Sequence, residues 1–453
     1  MNRTKVLSMA LMLIAISLSG CTGDDTELNA ANERIAELEA QSQNDQERIV
    51  GLESESDADE VRYQKLMDDF LDQNILVNQL QENCCTWGDM DQARNEGYLS
   101  GLENSSQGST LDTILSRGSM GCGVKDSQYG MGYIDANGVR SGMDIEYCRA
   151  IAAAIGLNPD EDVFYVLASA SDRFDLLASG DVDVLIRTTT WTTSRDASLN
   201  SDFAGINFYD GQGIMIRSDF ITVEEAGSSI YALDGANICV GIGTTTAENL
   251  VDWSSASGVS INPVYVSDSS QARNQFISGS CHAYTGDSSA LAAMKFQMDY
   301  DGSMGTDIEG NDIQIWIGQE LLNKEPLGAV TRDYDSEWNE VVSWVWYAMI
   351  TAEEMGISST NYGSADTSDP SVHRLLYSNL GLGTTDNPLS STWVQNVLES
   401  VGNYGEAYDN SFCDGTYDGV SGSDTMTGCL ISRSGTYNAL VSEGGLQYAP
   451  PMR

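Results

Sequence analysis

From Thr110 onward the chain alternates short β-forming runs with longer helical stretches, and this rhythm limits the folds open to it. Residues 111–117 read as a helical turn, 120–125 as a strand, 143–155 as a helix, 163–166 as a strand, 171–179 as a helix and 182–187 as a strand. A second series begins near Ile238, with strands expected at 238–241 and 283–285. When a helix separates two strands, it carries the chain back along the sheet, so the strands lie parallel. The pattern therefore predicts an α/β protein with two lobes, each with a largely parallel sheet. Ligands in such folds sit in the crevice outside the carboxyl ends of the strands.

The part before Thr110 obeys different rules. Residues 26–83 carry a heptad pattern, with Leu28, Ile35, Ile49, Tyr63, Phe70 and Val77 at one position of the repeat. Ala31, Leu38, Leu52, Leu66 and Leu80 fall three residues further on, while Ser42, Asp45, Ser56 and Asp59 form polar layers. This predicts a helical coiled-coil stalk extending about 80 Å at 1.5 Å per residue. A lone helix would leave the apolar seam wet, so the stalk is expected to join copies of the chain into a homo-oligomer; a spacer that only sets distance from the membrane is the alternative. Residues 84–109 read as a linker. It opens with Cys84 and Cys85, which can face their copies across the coil or pair within one chain.

At the N-terminus, Arg3 and Lys5 precede an apolar stretch at 6–18 that is too short to span a bilayer. Leu18-Ser19-Gly20-Cys21 resembles the lipobox of bacterial-type lipoproteins. That resemblance implies a signal peptide at 1–20, cleavage before Cys21, a lipid anchor on Cys21 and a short lipidated N-terminus at 21–25; an ordinary signal peptide with an incidental cysteine is the alternative. No later segment reads as a transmembrane helix, so movement of a solute across the membrane would need a separate partner. The protein is expected outside the cytoplasm, in the periplasm or on the outer face of the cytoplasmic membrane.

Charge and cysteine content narrow the function further. The chain holds 22 Lys plus Arg against 67 Asp plus Glu, a formal net charge of −45. Acids spread along the whole chain repel phosphate backbones and anionic headgroups, which argues against nucleic acid as a partner. Nine cysteines suit an oxidising compartment. Local context pairs Cys122, at the end of the first strand, with Cys148 on the following helix. It also pairs Cys239 with Cys281, each in a strand-like run, and Cys413 with Cys429, which flank a Gly/Asp-rich loop. With two histidines and no CxxC pair, no metal site is expected.

The most specific chemistry lies in Arg187-Thr188-Thr189-Thr190-Trp191-Thr192-Thr193-Ser194-Arg195-Asp196. A strand that ends in hydroxyls with an arginine a short step away suits a carboxylate, because guanidinium offers a planar two-pronged donor. A second hydroxyl-rich turn, Gly243-Thr244-Thr245-Thr246, opens a helix whose N-terminus favours an anionic group. Asp287, after the strand at 283–285, can take an ammonium or act as a helix N-cap. Together these groups match a zwitterion at both ends.

These motifs, with Phe208-Tyr209-Asp210-Gly211-Gln212-Gly213, Lys324-Glu325-Pro326-Leu327-Gly328, Val401-Gly402-Asn403-Tyr404-Gly405-Glu406 and Gly444-Gly445-Leu446-Gln447-Tyr448-Ala449-Pro450-Pro451, resemble the family 3 solute-binding proteins. The resemblance covers roughly three-quarters of the chain and is strongest to the general L-amino-acid-binding proteins of polar amino acid ABC importers. It implies a two-lobed periplasmic-binding-protein-like fold of type II, with lobe one formed by 110–215 and 330–453 and lobe two by 216–329. The lobe crossings are expected at 208–215 and 327–331. It further implies an L-amino acid ligand, an ABC permease as partner, no cofactor and no catalysis. By motif position Arg195 is the carboxylate clamp, Thr188 and Thr190 are hydroxyl ligands, Thr245 is the contact from lobe two and Asp287 is the amine partner. Tyr129 and Tyr133, in a loop that departs from the commoner family versions, can stack on the ligand or belong to the core; Trp191 can wall the cleft or pack beneath it. An enzyme is disfavoured because His282 and His373 have no evident catalytic partners. A sensory co-receptor working through a membrane signalling partner is the alternative that the stalk keeps open.

Overall fold

The computed structural model describes residues 109–413 and 429–453. The signal segment, Cys21, the 26–83 stalk, Cys84 and Cys85 lie outside the described residues, as does the 414–428 insertion. The first half contains α1 (Thr110–Arg117), β1 (Met120–Val124), β2 (Ser127–Gln128), β3 (Gly132–Ile134), β4 (Arg140–Ser141), α2 (Met143–Ala154), β5 (Val163–Leu167), α3 (Arg173–Ser179), β6 (Val184–Leu185) and α4 (Thr193–Ser198). The long β7 (Ser201–Arg217) leads to α5 (Val223–Ala226), β8 (Ala236–Gly241), α6 (Thr245–Ser257), β9 (Ile261–Val266), α7 (Ser269–Ile277), β10 (Ala283–Asp287), α8 (Ser288–Asp301) and β11 (Ile315–Ile317). A second long strand, β12 (Asn323–Arg332), returns the chain to α9 (Ser336–Glu354), α10 (Pro370–Tyr377), α11 (Trp393–Ser400) and α12 (Tyr404–Phe412).

The strands order as β5-β1-β6-β12-β7-β10-β8-β9, with β11 also on β7, while β2-β3-β4 form a small separate sheet. β1 pairs in parallel with β5 and β6, and β8 pairs in parallel with β9 and β10, as helical crossovers require. The expectation of a largely parallel sheet needs one correction. β7 and β12 run antiparallel, from Asn323 opposite Gln212 to Arg332 opposite Ser201, and join the parallel groups into one mixed sheet. They must be antiparallel because β7 takes the chain out of the first half and β12 brings it back. The crossings expected at 208–215 and 327–331 fall within these strands.

Strand alternation assigns side chains to the cores. Ile214 and Ile216 of β7 face one core with Ile238 and Val240 of β8, whereas Met215 and Cys239 face another with Phe276 and Leu291. In the first half the largest core gathers α2, α9, α11 and α12. Helix α9 buries Trp338, Val341, Val342, Val345, Trp346, Met349 and Ile350, a stripe at helical spacing. Two hydrogen bonds tie this core together: Trp338 Nε1 donates to the Asp183 carbonyl at 2.9 Å, and Tyr147 Oη donates to the Val342 carbonyl at 2.7 Å, while the buried Trp346 Nε1 has no partner among the described residues. Cys122 bonds to Cys148, Cys239 to Cys281 and Cys413 to Cys429, the three pairs expected from local context. Among the described residues no helix is long and apolar enough to cross a membrane.

Candidate functional site

A cavity of about 710 Å³ lies where strands of both halves end. Lys125 follows β1, Ala168 follows β5, Arg187 and Thr188 follow β6, Ser267 follows β9, and Asp287 ends β10; all of them line it. This is the carboxyl-end crevice of an open α/β sheet, shared here between two halves.

Its walls concentrate positive charge in a strongly acidic chain. Arg173, Arg187 and Arg195 are 3%, 8% and 9% exposed and line the cavity beside Lys125. Arg195 is oriented by Nη1 donating to the Thr190 carbonyl at 2.8 Å, and Arg187 by Nε donating to the Ala168 carbonyl at 3.1 Å. Lys125 Nζ donates to Gln128 Oε1 at 2.6 Å. Burial, then the Arg187 guanidinium, lowers the Lys125 ammonium to about 8. Burial lowers Arg187 to about 10, opposed by Asp144 and Asp287. Asp144, at the start of α2 behind this wall, is raised by burial to about 6 even though Lys125 and Arg187 pull it down.

On the acidic side Asp287 lines the cavity with Asp126 and Asp268, and Glu325 lies behind the lining threonines Thr190 and Thr245. Asp287 occupies the N-cap position of α8, yet its side chain makes no capping hydrogen bond. It lies close enough to Lys125, Arg173, Arg187 and Arg195 to favour the charged form of each. Glu325 in β12 is almost fully buried and joins the halves. Its Oε2 accepts from Thr190 Oγ1 at 2.5 Å and from Thr245 Oγ1 at 3.0 Å, and its Oε1 accepts from Asn249 Nδ2 at 3.0 Å. Further bridges between the halves run from Gln128 Nε2 to Ser289 Oγ at 3.0 Å and between the hydroxyls of Ser127 and Ser269 at 3.1 Å.

The structure brings Arg195, Thr188, Thr190, Thr245, Asp287, Tyr129 and Tyr133 to this one cavity. Thr188 sits at φ +51°, a region that β-branched residues rarely enter, and its buried Oγ1 has no hydrogen-bond partner. Strain of this kind clusters at ligand clamps and switch regions. Tyr129 and Tyr133 meet edge to face at 4.3 Å and form one wall. Trp191 is not among the lining residues; it stacks on Phe203 at 5.3 Å, in a small core with Leu177 and Val330. Neither histidine lines the cavity: His282 stacks on Phe220 at 4.4 Å and His373 lies against Tyr377. Among the described residues no group of three His, Cys, Asp or Glu side chains is placed to hold a metal.

Sequence reasoning passed over Arg173 and Glu325 as site residues. Arg173 shares a helix face with buried Leu177 four residues on, and a charge on an apolar face was the available signal. Glu325 carries no such mark, because only the pairing of β12 beside Thr190 and Thr245 reveals its partners.

Two α/β halves joined by paired long strands flank a charged crevice, the arrangement of a protein that binds a solute between its halves. Residues 120–377 match the bacterial extracellular solute-binding proteins, family 3, and the chain belongs to that family. The glutamate/glutamine/aspartate/asparagine-binding protein BztA of Rhodobacter capsulatus is 37% identical over 347 residues, 76% of this chain and 94% of that protein. The general L-amino acid-binding periplasmic protein AapJ of Rhizobium johnstonii is 35% identical over 346 residues, 76% of this chain and 93% of its own. A solved ABC transporter / periplasmic binding protein from Brucella ovis with glutathione bound is 37% identical and has a TM-score of 0.66, covering 77% of this chain and all of that one. The fold is the type II periplasmic-binding-protein fold, and the chain is an extracytoplasmic binding protein, not an enzyme.

Proposed function

We propose that this chain captures L-amino acids in the cleft and delivers them to an ABC permease, as the solute-binding component of an amino acid importer. The observation that carries the reading is the pairing of a buried, oriented guanidinium, Arg195, with an uncapped carboxylate, Asp287, on the walls of one crevice. Arg195 holds the α-carboxylate through its planar donor fork, and the unpartnered Thr188 hydroxyl adds a further donor. Asp287 holds the α-ammonium. Thr190 from the first half and Thr245 from the second give their hydroxyl protons to Glu325, so their lone pairs are left to accept from that ammonium. Tyr129 and Tyr133 flank the solute's side chain.

Closure follows from the placement of these groups. A zwitterion meets Arg195 and Asp287 together only when the halves are shut, so binding shifts the population toward the closed form that a permease recognises. Cys21 carries a lipid anchor in this reading.

A larger solute with an amino-acid head, like the glutathione of the Brucella ovis relative, is the second reading; it is favoured by a cavity of about 710 Å³, well inside the range of about 300–1,000 Å³ of small-molecule pockets. A thermal-shift screen over the L-amino acids and glutathione tests both. Stabilisation by a set of L-amino acids supports import of that class, and no response to any of them refutes it.

A further inference from the structure

A simple zwitterion leaves one buried charge in the cleft unused. Arg173 is 3% exposed and lines the cavity, and among the described residues its guanidinium donates no hydrogen bond and makes no ion pair; its Nε is wholly buried without a partner. Each neighbouring cation has an acceptor: the Thr190 carbonyl for Arg195, the Ala168 carbonyl for Arg187 and Gln128 for Lys125. Arg173 has only the face of Phe174, 5.1 Å away, and the same ring lies 5.9 Å from the guanidinium carbon of Arg195. Burial, then Arg187 and Arg195, push it well below the usual arginine range, and only Asp287 and Asp172 oppose them.

An uncompensated buried guanidinium among like charges destabilises the empty protein, and an apolar chain of similar length would pack there without that cost. Its retention is accounted for if the solute brings the missing anion. The amino-acid head cannot supply it, because Arg195 holds the α-carboxylate and Asp287 is engaged by the ammonium. We propose that Arg173, with Lys125 and Arg187 beside it, forms a second anion subsite, and that the preferred solute is an α-amino acid bearing a second carboxylate. The inference rests on the amino-acid reading above and narrows it. Glutamate or aspartate carries such a group on its side chain, and a γ-glutamyl peptide carries it at its C-terminus; the cavity accommodates either.

The test is isothermal titration of the full chain with near-isosteric pairs: L-glutamate against L-glutamine, L-aspartate against L-asparagine, and a γ-glutamyl tripeptide against its C-terminal amide. At least one acid is expected to bind on the order of 100-fold more tightly than its amide, the effect of leaving a buried charge unpaired. Which pair shows the preference identifies the source. Arg173→Gln is expected to bring that acid-to-amide ratio close to one, while Arg173→Lys, which keeps the charge but loses the fork, retains part of it. Equal affinity within all three wild-type pairs overturns the subsite and leaves amino-acid binding intact. A wild-type preference that survives in Arg173→Gln overturns the assignment to Arg173. Failure of every amino acid and peptide to bind removes both this proposal and the reading beneath it. The wild-type comparison holds even if Arg173→Gln does not fold.

Discussion

Arg195→Ala separates a binding role from a structural one, because the structure predicts effects of very different size for the two. The guanidinium is 9% exposed, and among the described residues it has no carboxylate within ion-pair distance. Its fixed partners within the chain are the Thr190 carbonyl at 2.8 Å and the Phe174 ring at 5.9 Å. Losing these costs about 1.5–3 kcal/mol for the charged hydrogen bond and about 0.5–1 kcal/mol for the ring contact. Against this, the variant no longer desolvates a lone cation, a relief of comparable size. The empty protein should therefore change in stability by no more than about 1–2 kcal/mol. The liganded protein is different, since removing one partner of a buried, hydrogen-bonded charge pair costs about 2–5 kcal/mol, or about 30-fold to several-thousand-fold in Kd. Titration calorimetry with the best amino-acid ligand measures the binding loss, and urea unfolding without ligand measures the stability change. A loss of affinity below tenfold, or ligand-free destabilisation larger than the binding loss, would refute the clamp.

Asp287→Asn should weaken binding by on the order of 100-fold by the same argument, and because it removes the counter-charge to Lys125, Arg173, Arg187 and Arg195 it should also lower ligand-free stability; a Kd within threefold of wild type would contradict its role. Asp210 is raised to about 7 by burial and by the nearby Asp287 carboxylate. The folded protein thus keeps a proton that the unfolded chain releases near pH 4, so this group's contribution to stability is full below about pH 4 and is lost as pH rises through about 7. Asp210→Asn should flatten the fall in unfolding free energy over that window, leaving the part due to Asp144, whose raised carboxyl acts in the same direction; an unchanged slope would dismiss the assignment. Removing the Cys239–Cys281 bridge, which closes a separation of 42 residues, should cost roughly 4 kcal/mol by chain entropy, seen as a lower urea midpoint. Thr188→Gly should raise ligand-free stability by about 1 kcal/mol by releasing a β-branched residue from positive φ, and a clear loss would show the strain to be small.

Much of this protein is legible along the chain because the signals are local. Period-2 and period-3.6 patterning marked the alternating elements; β1 and β5 lie within a residue of the expected strands, and each expected cysteine pair joins elements that adjoin in the fold. Arg195 and the threonines of the Arg187-to-Asp196 run were readable because a hydroxyl-rich strand end followed by arginine is a chemical pattern in one short segment. Other features depend on groups far apart in sequence. The joining of the parallel groups into one mixed sheet follows from β7 meeting β12 more than a hundred residues later. Trp191 turned to Phe203 and not to the cleft, because stacking was available beneath it. Glu325 became the bridge between Thr190 and Thr245 only once three separate segments met. Arg173 shows along the chain only as a charge on the apolar face of Leu177, and it is the packing of α3 against the crevice that strips it of water and partners. Propensity and pattern are properties of neighbouring residues and survive in the sequence. Desolvation and charge crowding are properties of three-dimensional proximity, and they arise only when the chain has folded.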